Sequence, residues 1–323
     1  MQPIDRSILD LLQHQFPVSV TPFLEIAKKL GMREQELISR IQQLKNDGIV
    51  RQISPIFDST KLGYQSTLAA FKVASGSIDN VAARLNQNPG VSHNYLRNGC
   101  FNIWFTLTLP QKYNLRDQVA FLASESGVCE WLYLPSLRTF TIDFRLQMND
   151  DFKSKRFTEP ILPASNSRAS SVEIDRAFVR ELQKDLPLVS HPFLAASQKL
   201  KMSEPQIVEK LKTYTETGVV RRVAAILRPV QAGFSSNVMV AWAPAEDKIG
   251  ALGTFAASLP QVSHCYQRLK SKLWPYSVYT MIHGSREDEC RDVISKINRK
   301  FGSIRYNELV TLREFKKIRV RYF

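Results

Sequence analysis

Hydrophobic residues recur with a helical period at the start of the chain and are followed by a strand-like pattern. Ile8 and Leu12 lie in one helical stretch, Pro22 is placed to begin a second, and a third helix is predicted over 33–46. A strand is predicted over 49–53, directly after an Asp-Gly turn signal. Three helices followed by a strand are typical of a winged helix-turn-helix.

The following segment alternates between strand and helix patterns. Strands are predicted over 67–73, 91–97 and 101–109, helices over 78–88 and 115–126, and a final extended region over 128–146. The resulting order, βαββαβ, is typical of a ferredoxin-like domain. The predicted fold class is therefore α+β.

The whole pattern occurs twice in the chain. Ile4-Asp5-Arg6 is repeated as residues 174–176, and the segment 48–51 as 218–221. The spacing of matching residues grows from 170 to 175, which small insertions in the second half explain. The chain is thus predicted to contain two copies of one module of about 150 residues. The predicted boundaries are 1–60 and 172–232 for the helix-turn-helix units, 61–148 and 233–323 for the ferredoxin-like units, and 149–171 for a linker. Residues before 149 are called the first copy below, and those after 171 the second copy.

Composition is that of an ordinary globular protein, but the charge narrows the choice of partner. Lys and Arg outnumber Asp and Glu by 44 to 30, a net charge of +14. Such a charge attracts nucleic acid, an anionic membrane surface or a polyanionic small molecule.

The four cysteines form no CxxC pair, so neither a disulfide framework nor a zinc site is predicted. The start of the chain lacks a signal-peptide pattern, and no apolar run approaches the ~20 residues of a membrane span. A soluble, cytoplasmic protein is expected.

A short polar motif is repeated in the ferredoxin-like units. It has the form His-x-Tyr-x-Arg and consists of His93, Tyr95 and Arg97 in the first copy and His264, Tyr266 and Arg268 in the second. Alternate residues of a strand point to the same face. Each copy is therefore predicted to carry an imidazole, a phenol and a guanidinium in one row, and two such rows suggest a site for a large anionic molecule.

Nucleic acid is not the favoured partner, because the helices that would enter a DNA groove begin with acidic residues. Glu34 and Glu36 open the third helix, and Glu204 and Glu209 lie in its counterpart. Such carboxylates would face the phosphates of DNA. The basic residues gather instead around the predicted wings and the C-terminal strand.

The order of domains resembles that of the Lrp/AsnC regulators, which combine a winged helix with a ferredoxin-like domain. These proteins dimerise through the ferredoxin-like domain. The resemblance therefore implies that the two fused copies form an intramolecular pseudo-dimer.

A closer resemblance lies in four segments, which look like those of the sirohaem decarboxylases. They are FNIWFTL (101–107), VSHCYQR (262–268), WPYSVYTMIHG (274–284) and TLREFKK (311–317). The family often uses two separate subunits, and this chain is similar to a fused form. The resemblance implies removal of carbon dioxide from the C12 and C18 acetate side chains of sirohaem, which gives 12,18-didecarboxysirohaem, in the synthesis of haem or of d-type haem.

Sirohaem carries eight carboxylates around an iron tetrapyrrole, so the resemblance implies a basic site with aromatic walls. Arginine is suited to a bidentate grip on a carboxylate. Loss of carbon dioxide leaves an electron pair on a methylene carbon, which a histidine can protonate near neutral pH. We expect His264, and after it His93, to be the proton donor. No cofactor and no bound metal are expected beyond the iron of the substrate.

Further residues are predicted to bind the substrate through charge, hydrogen bonds or aromatic contact. They are Arg51, Tyr95, Arg97, Arg221, Arg222, Tyr266, Arg268, Lys270, Trp274, Tyr276, His283, Arg313, Lys316 and Lys317. His283 has a second interpretation as a ligand of the substrate iron. The second copy is expected to carry the principal site, because it has the Trp-Pro-Tyr insertion, His283 and the basic C-terminal strand.

Other interpretations are compatible with the same residues. Each histidine would also suit a hydrogen-bonded position inside a sheet, each arginine a solvated strand end, and Trp274 the core. For the whole chain, the alternatives are a DNA-binding regulator of the Lrp/AsnC type and a tetrapyrrole-binding protein without catalytic activity.

Overall fold

The structure, a computed structural model, describes residues 1–142, 173–228 and 231–323. The predicted linker (149–171) and the end of the extended region predicted over 128–146 lie outside these residues. No helix in the described ranges is both long enough and apolar enough to cross a membrane.

The elements of the first copy follow the order that the hydrophobic pattern predicts. They are α1 (Pro3–His14), α2 (Pro22–Lys29), α3 (Glu34–Asn46), β1 (Val50–Phe57), β2 (Tyr64–Phe71), α4 (Ile78–Gln87), β3 (Val91–Arg97), β4 (Ile103–Pro110), α5 (Leu115–Glu125) and β5 (Trp131–Ile142).

The second copy repeats this order. Its elements are α6 (Arg176–Leu182), α7 (Leu194–Leu200), α8 (Glu204–Glu216), β6 (Val220–Leu227), β7 (Ser236–Trp242), α9 (Ile249–Ser258), β8 (Val262–Arg268), β9 (Val278–Gly284), α10 (Glu287–Phe301) and β10 (Tyr306–Lys317). The predicted α+β class is confirmed.

The helix boundaries have local causes in the sequence. α2 has Pro22 in its first turn, and Gly31 just beyond its end adopts a φ of +65°, which favours glycine. α8 begins with a reciprocal cap, in which Ser203 N–H donates to the Gln206 side chain (2.8 Å) and Gln206 N–H donates to Ser203 Oγ (3.4 Å).

The two helical units share one hydrophobic core. β1 pairs antiparallel with β6, so that Ile53 lies opposite Ala225. Phe23 of the first copy and Phe193 of the second are buried in the same cluster beside this pair of strands. The strand that the sequence assigns to a wing in each copy therefore pairs with the matching strand of the other copy.

The remaining strands form a closed barrel in the order β10-β3-β4-β2-β5-β8-β9-β7. β5 starts beside β2 of its own copy, with Leu134 opposite Leu68, and ends beside β8, with Thr139 opposite Tyr266. β10 starts beside β7 and ends beside β3, where Lys317 lies opposite His93. Each copy thus gives the second half of its last strand to the sheet of the other copy, and this exchange closes the barrel.

Helices cover the outside of the barrel, and an aromatic plug fills one end of its interior. The plug consists of Ala70, Phe101, Trp104, Leu132, Leu134, Ala241, Trp274, Tyr276, Tyr279 and Leu309. Along β3 and β4, Tyr95 lies opposite Trp104 at the plug, and His93 lies opposite Thr106, further from it. The histidine row therefore points towards the other end of the interior.

The segment after β10 ties the barrel to the helical units. Ile318 N–H donates to the Ser92 carbonyl of β3 (2.8 Å), and Arg319 donates to the Pro55 carbonyl of β1 (2.6 Å). Tyr322 is 8% exposed and belongs to the helical core, where its N–H donates to the Gln183 side chain (2.8 Å). This C-terminal segment (residues 318–323) therefore links the two layers.

Replacing Tyr322 by alanine is expected to lower the free energy of unfolding by about 3 kcal/mol, because it removes a large buried side chain between the layers. Chemical denaturation at equilibrium measures this loss. Tyr113→Ala, at a position that is 45% exposed, serves as the control and is expected to change stability by less than about 0.5 kcal/mol. Equal losses in the two variants would contradict the burial argument.

Candidate active site

The two His-x-Tyr-x-Arg rows lie on β3 and β8, with the three side chains of each row on one face. The ring centres of His93 and Tyr95 are 6.2 Å apart, as are those of His264 and Tyr266. The Arg97 guanidinium lies 5.2 Å from the Tyr95 ring centre. The shared face predicted from strand alternation is therefore confirmed, and barrel closure brings the two rows into one interior.

His93 lies in a basic environment. Burial, followed by the positive charges of Lys317 and Arg51 and by His264, lowers the pKa of His93 to about 4. Arg51 reaches this place from β1 and donates from Nη2 to the Lys317 carbonyl (3.2 Å). His93 Nδ1 lies 2.9 Å from Ser92 Oγ. A neutral imidazole therefore lies beside two cations, which suits the binding of an anion.

His264 belongs to a chain of polar side chains. Its Nδ1 lies 2.7 Å from Ser263 Oγ, which in turn lies 2.7 Å from His283 Nε2. His283 Nδ1 is hydrogen-bonded to Asn237 Oδ1 on the neighbouring strand. Burial, followed by His264 and Lys317, lowers the pKa of His283 to about 3. His283 is therefore neutral near pH 7.

Lys317 and the tyrosines complete the polar lining near the histidines. Burial lowers the pKa of Lys317, against the opposing effect of Glu314, whose Oε2 lies 3.9 Å from Nζ. Burial raises the pKa of Tyr95 and of Tyr266, so both phenols keep their protons and can donate hydrogen bonds.

Arg97 and Arg268 hold the exchanged strands. Arg97 donates from Nη1 to the Leu309 carbonyl of β10 (2.6 Å), and Arg268 donates from Nη1 to the Leu134 carbonyl of β5 (2.7 Å). Burial lowers the pKa of Arg97 to about 10 and also lowers that of Arg268. Both arginines therefore have a structural role at the exchange. Their predicted grip on substrate carboxylates stays a prediction.

Several predicted substrate-binding residues of the second copy do not lie at the histidines. Trp274, 4% exposed, is in the aromatic plug with Tyr276, and its Nε1 donates to Tyr279 Oη (2.8 Å). The expectation that Trp274 covers the face of a bound ring is thus replaced by a core position. Lys270 is exposed and forms an ion pair with Glu246 (2.7 Å).

Two residues of β10 point to the outside of the barrel. Arg313 forms an ion pair with Asp79 on α4 (2.6 Å), and Lys316 donates to the carbonyls of Asn86 (2.7 Å) and Asn88 (3.0 Å) at the end of α4. Lys316 and Lys317 are consecutive residues of one strand and therefore point to opposite faces, and Lys317 lies opposite His93.

The counterparts of Arg51 in the second copy lie on β6. Arg221 donates to Asp58 Oδ2 from both Nε (3.2 Å) and Nη2 (2.9 Å), and its charge acts on Tyr266 against the effect of burial. Arg222 lies opposite Ile56 of β1. The charge of Arg51 acts on His93.

Sequence reasoning missed several polar residues at the histidines. Ser92 and Ser263 each precede a histidine of the motif, so the repeated Ser-His pair was a usable signal. Asn237 carries no such signal, because it meets His283 only through the pairing of β7 with β9. Glu314 lies three residues before Lys317 on β10, and its place opposite Tyr95 depends on the pairing of β10 with β3. Among the described residues, no group of three His, Cys, Asp or Glu side chains is arranged to hold a metal ion.

Comparison with known protein families supports this architecture. A family model described as the AsnC-like ligand binding domain matches residues 61–141 and 231–316, and one described as the Siroheme decarboxylase NirDL-like HTH domain matches 5–51 and 175–221. The class is therefore that of AsnC-like proteins with helix-turn-helix domains, here present in two copies.

The relatives make the assignment more specific. A "Siroheme decarboxylase" of Hydrogenobacter thermophilus is 38% identical over 98% of this chain and 94% of its own length. The crystal structure of the siroheme decarboxylase NirDL matches with a TM-score of 0.74 and 35% identity, over 99% of this chain and 94% of that one. A second structure, of NirDL in complex with an iron-uroporphyrin III analogue, gives a TM-score of 0.73, 34% identity and the same coverage. The chain belongs to the sirohaem decarboxylase family, whose members are carbon–carbon lyases.

The depressed pKa values of His93 and His283 predict a loss of stability in mild acid. The unfolded chain binds protons at histidine below about pH 6.5, whereas the folded chain resists this until about pH 4 for His93 and about pH 3 for His283. Their contribution is therefore complete above pH 6.5 and decreases as the pH falls towards 4. Denaturation curves at pH 7.5 and 5 give the free energy of unfolding that is lost between the two pH values. This loss should be smaller in His93→Gln and in His283→Gln than in the wild type.

Tyr113→Phe, on the protein surface, is the control for that measurement and should keep the wild-type decrease. If both histidine variants lost as much stability as the wild type between the two pH values, the pKa assignments would be wrong.

Arg268→Met is expected to lower the free energy of unfolding by about 2–3 kcal/mol, because it leaves the buried Leu134 carbonyl without its charged donor. Lys270→Met, two residues further on and in an exposed ion pair, should cost less than about 1 kcal/mol. Equilibrium denaturation of the two variants compares them directly. An unchanged stability of Arg268→Met would rule out the structural role of this arginine.

Proposed function

We propose that this chain removes carbon dioxide from the C12 and C18 acetate side chains of sirohaem and releases 12,18-didecarboxysirohaem. The observation that carries the proposal is the meeting of two repeated histidines, His93 and His264, inside one barrel beside Lys317 and Arg51. The similarity to a NirDL structure in complex with an iron-uroporphyrin III analogue supports a tetrapyrrole as the ligand.

The architecture of the proposed enzyme is an intramolecular pseudo-dimer. Each copy supplies a winged helix-turn-helix and a ferredoxin-like unit, with the boundaries given by the repeat. The pairing of β1 with β6 and the exchange of β5 and β10 support this arrangement. The wings then act as a cover over the barrel, which is consistent with the contact of Arg51 with Lys317.

Substrate binding would rest on cations placed against the acid groups of the ring. Lys317 and Arg51 lie beside His93, and Arg221 lies on the matching strand of the second copy. Binding of the spectator carboxylates fixes the reacting side chain, so binding energy from remote groups contributes to catalysis. Arg97, Arg222, Tyr266, Arg268 and His283 are further predicted contacts of the substrate.

The chemical step breaks the bond between the methylene carbon and its carboxylate. Carbon dioxide leaves, the electron pair remains on the carbon next to the ring, and a proton converts the side chain to a methyl group. His264, and after it His93, supplies that proton as a general acid. Tyr95 and Tyr266 are protonated phenols within 6.2 Å of the imidazole centres and can hydrogen-bond to the reacting carboxylate. No cofactor enters this scheme, and iron takes part only as a component of the substrate.

Anaerobic incubation with sirohaem, followed by mass spectrometry of the tetrapyrrole, tests the proposal. We expect a product lighter by two molecules of carbon dioxide, with an intermediate lighter by one. His264→Ala and His93→Ala should lower the rate by roughly a hundredfold or more if each donates a proton. His191→Ala, at an exposed position outside the barrel, is the matched control and should keep the wild-type rate.

Three results would contradict parts of this proposal. Unchanged sirohaem that stays bound would indicate a tetrapyrrole-binding protein without catalytic activity. Sequence-specific DNA binding without conversion would favour the regulator. Conversion at the wild-type rate in both histidine variants would remove His93 and His264 from the role of proton donor.

A further inference from the structure

A series of hydrogen bonds runs from Asn237 through His283 and Ser263 to His264, and the structure determines which group donates in each of them. Asn237 Nδ2 donates to the Phe234 carbonyl (3.0 Å), so its Oδ1 is the atom turned to His283. An amide oxygen only accepts, so His283 Nδ1 carries the proton of that hydrogen bond. Because burial keeps His283 neutral by lowering its pKa to about 3, its Nε2 has no proton and accepts.

Ser263 is hydrogen-bonded to both imidazoles, so the proton position on His283 decides which group donates at His264. Its hydroxyl oxygen lies 2.7 Å from both His283 Nε2 and His264 Nδ1, and 3.4 Å from the Met281 carbonyl. Of the two nitrogens, His283 Nε2 is the one that has no proton and needs a donor. The hydroxyl proton therefore goes to His283, and the oxygen is left to accept. The group 2.7 Å from that oxygen is His264 Nδ1, which accordingly donates.

The first copy has a different arrangement at the matching positions. Ser66 and Thr108 occupy the places of Asn237 and His283, and their hydroxyl oxygens lie 3.0 Å apart. Either hydroxyl can donate, so this pair imposes no direction. Ser92 Oγ lies 2.9 Å from His93 Nδ1, which matches the Ser263–His264 contact of the second copy. The first copy lacks the amide and the imidazole that determine the donor in the second copy, because Ser66 and Thr108 replace them.

We propose that Asn237 and His283 are positioning residues that hold His264 in the Nδ1–H tautomer and so make Nε2 the atom that carries the catalytic proton. This inference rests on the proposed function. In the step, protonated His264 gives its Nε2 proton to the methylene carbon as carbon dioxide leaves, and it returns to the neutral Nδ1–H form. The proton is replaced from solvent, and no oxidant or reductant is needed. In this proposal His283 acts through Ser263.

The tautomer can be measured in the free protein, without substrate. Long-range ¹H–¹⁵N correlation spectra of ¹⁵N-histidine-labelled full-length chain distinguish a protonated ring nitrogen from a bare one. In the neutral imidazole of His264 we expect Nδ1 to be protonated and Nε2 bare. An imidazole free in water prefers the opposite form, so an Nε2–H signal for His264 would overturn the proposal.

The matched variant combines Asn237→Ser with His283→Thr and so places the first-copy pair, Ser66 and Thr108, at the corresponding positions of the second copy. Because that pair folds in the first copy, it is a mild replacement, and we expect His264 to shift towards the Nε2–H tautomer. The control is Ser66→Ala combined with Thr108→Val, which removes the first-copy pair and should leave the His264 spectrum unchanged. An unchanged spectrum in the Asn237/His283 double variant would refute the assignment.

A kinetic measurement separates this inference from the proposed function. The Asn237/His283 double variant should lower the single-turnover rate at saturating sirohaem by roughly tenfold or more, because general-acid geometry is lost. A wild-type rate in this variant would overturn the positioning role. Absence of conversion in the wild type would refute the proposed function, whereas the tautomer spectra of the free protein would still decide the assignment of His264.

Discussion

The exchange of the last strands between the two copies is the constraint on which the rest of the structure depends. β5 and β10 each begin beside a strand of their own copy and end beside a strand of the other, so every strand of the barrel has a neighbour on both sides. An open sheet edge would leave backbone N–H and C=O groups without partners. Because β3 and β8 belong to different copies, closure is also what turns their histidine rows to one interior. Arg97 and Arg268 stabilise this closure, because each donates a hydrogen bond to a carbonyl of an exchanged strand.

Within this frame, the two histidine rows are alike in sequence but differ in electrostatic surroundings. Lys317 lies opposite His93, whereas Ile142 lies opposite His264. A carboxylate that binds beside Lys317 and Arg51 offsets their charge and thereby raises the pKa of His93. Binding of an acidic ligand and protonation of His93 therefore favour each other.

Much of the fold follows from sequence periodicity, because helices, strands and the repeat all leave local patterns. Strand alternation likewise predicts that His93, Tyr95 and Arg97 share a face. The pairing of β1 with β6 could not be predicted, since it joins segments 170 residues apart that look like two independent wings. The pairing of Lys317 with His93 and the core position of Trp274 depend on tertiary packing in the same way.

The C-terminal segment has a consequence for how a large ligand reaches the interior. The aromatic plug occupies one end of the barrel, so the end that carries the histidines is the one through which the proposed tetrapyrrole would enter. There, residues 318–323 fasten the barrel to the helical layer through Ser92, Pro55 and Gln183. Entry of the proposed tetrapyrrole at this end would require these contacts to loosen. Under the proposed function, turnover would then involve motion between the barrel and the helical layer as well as bond cleavage.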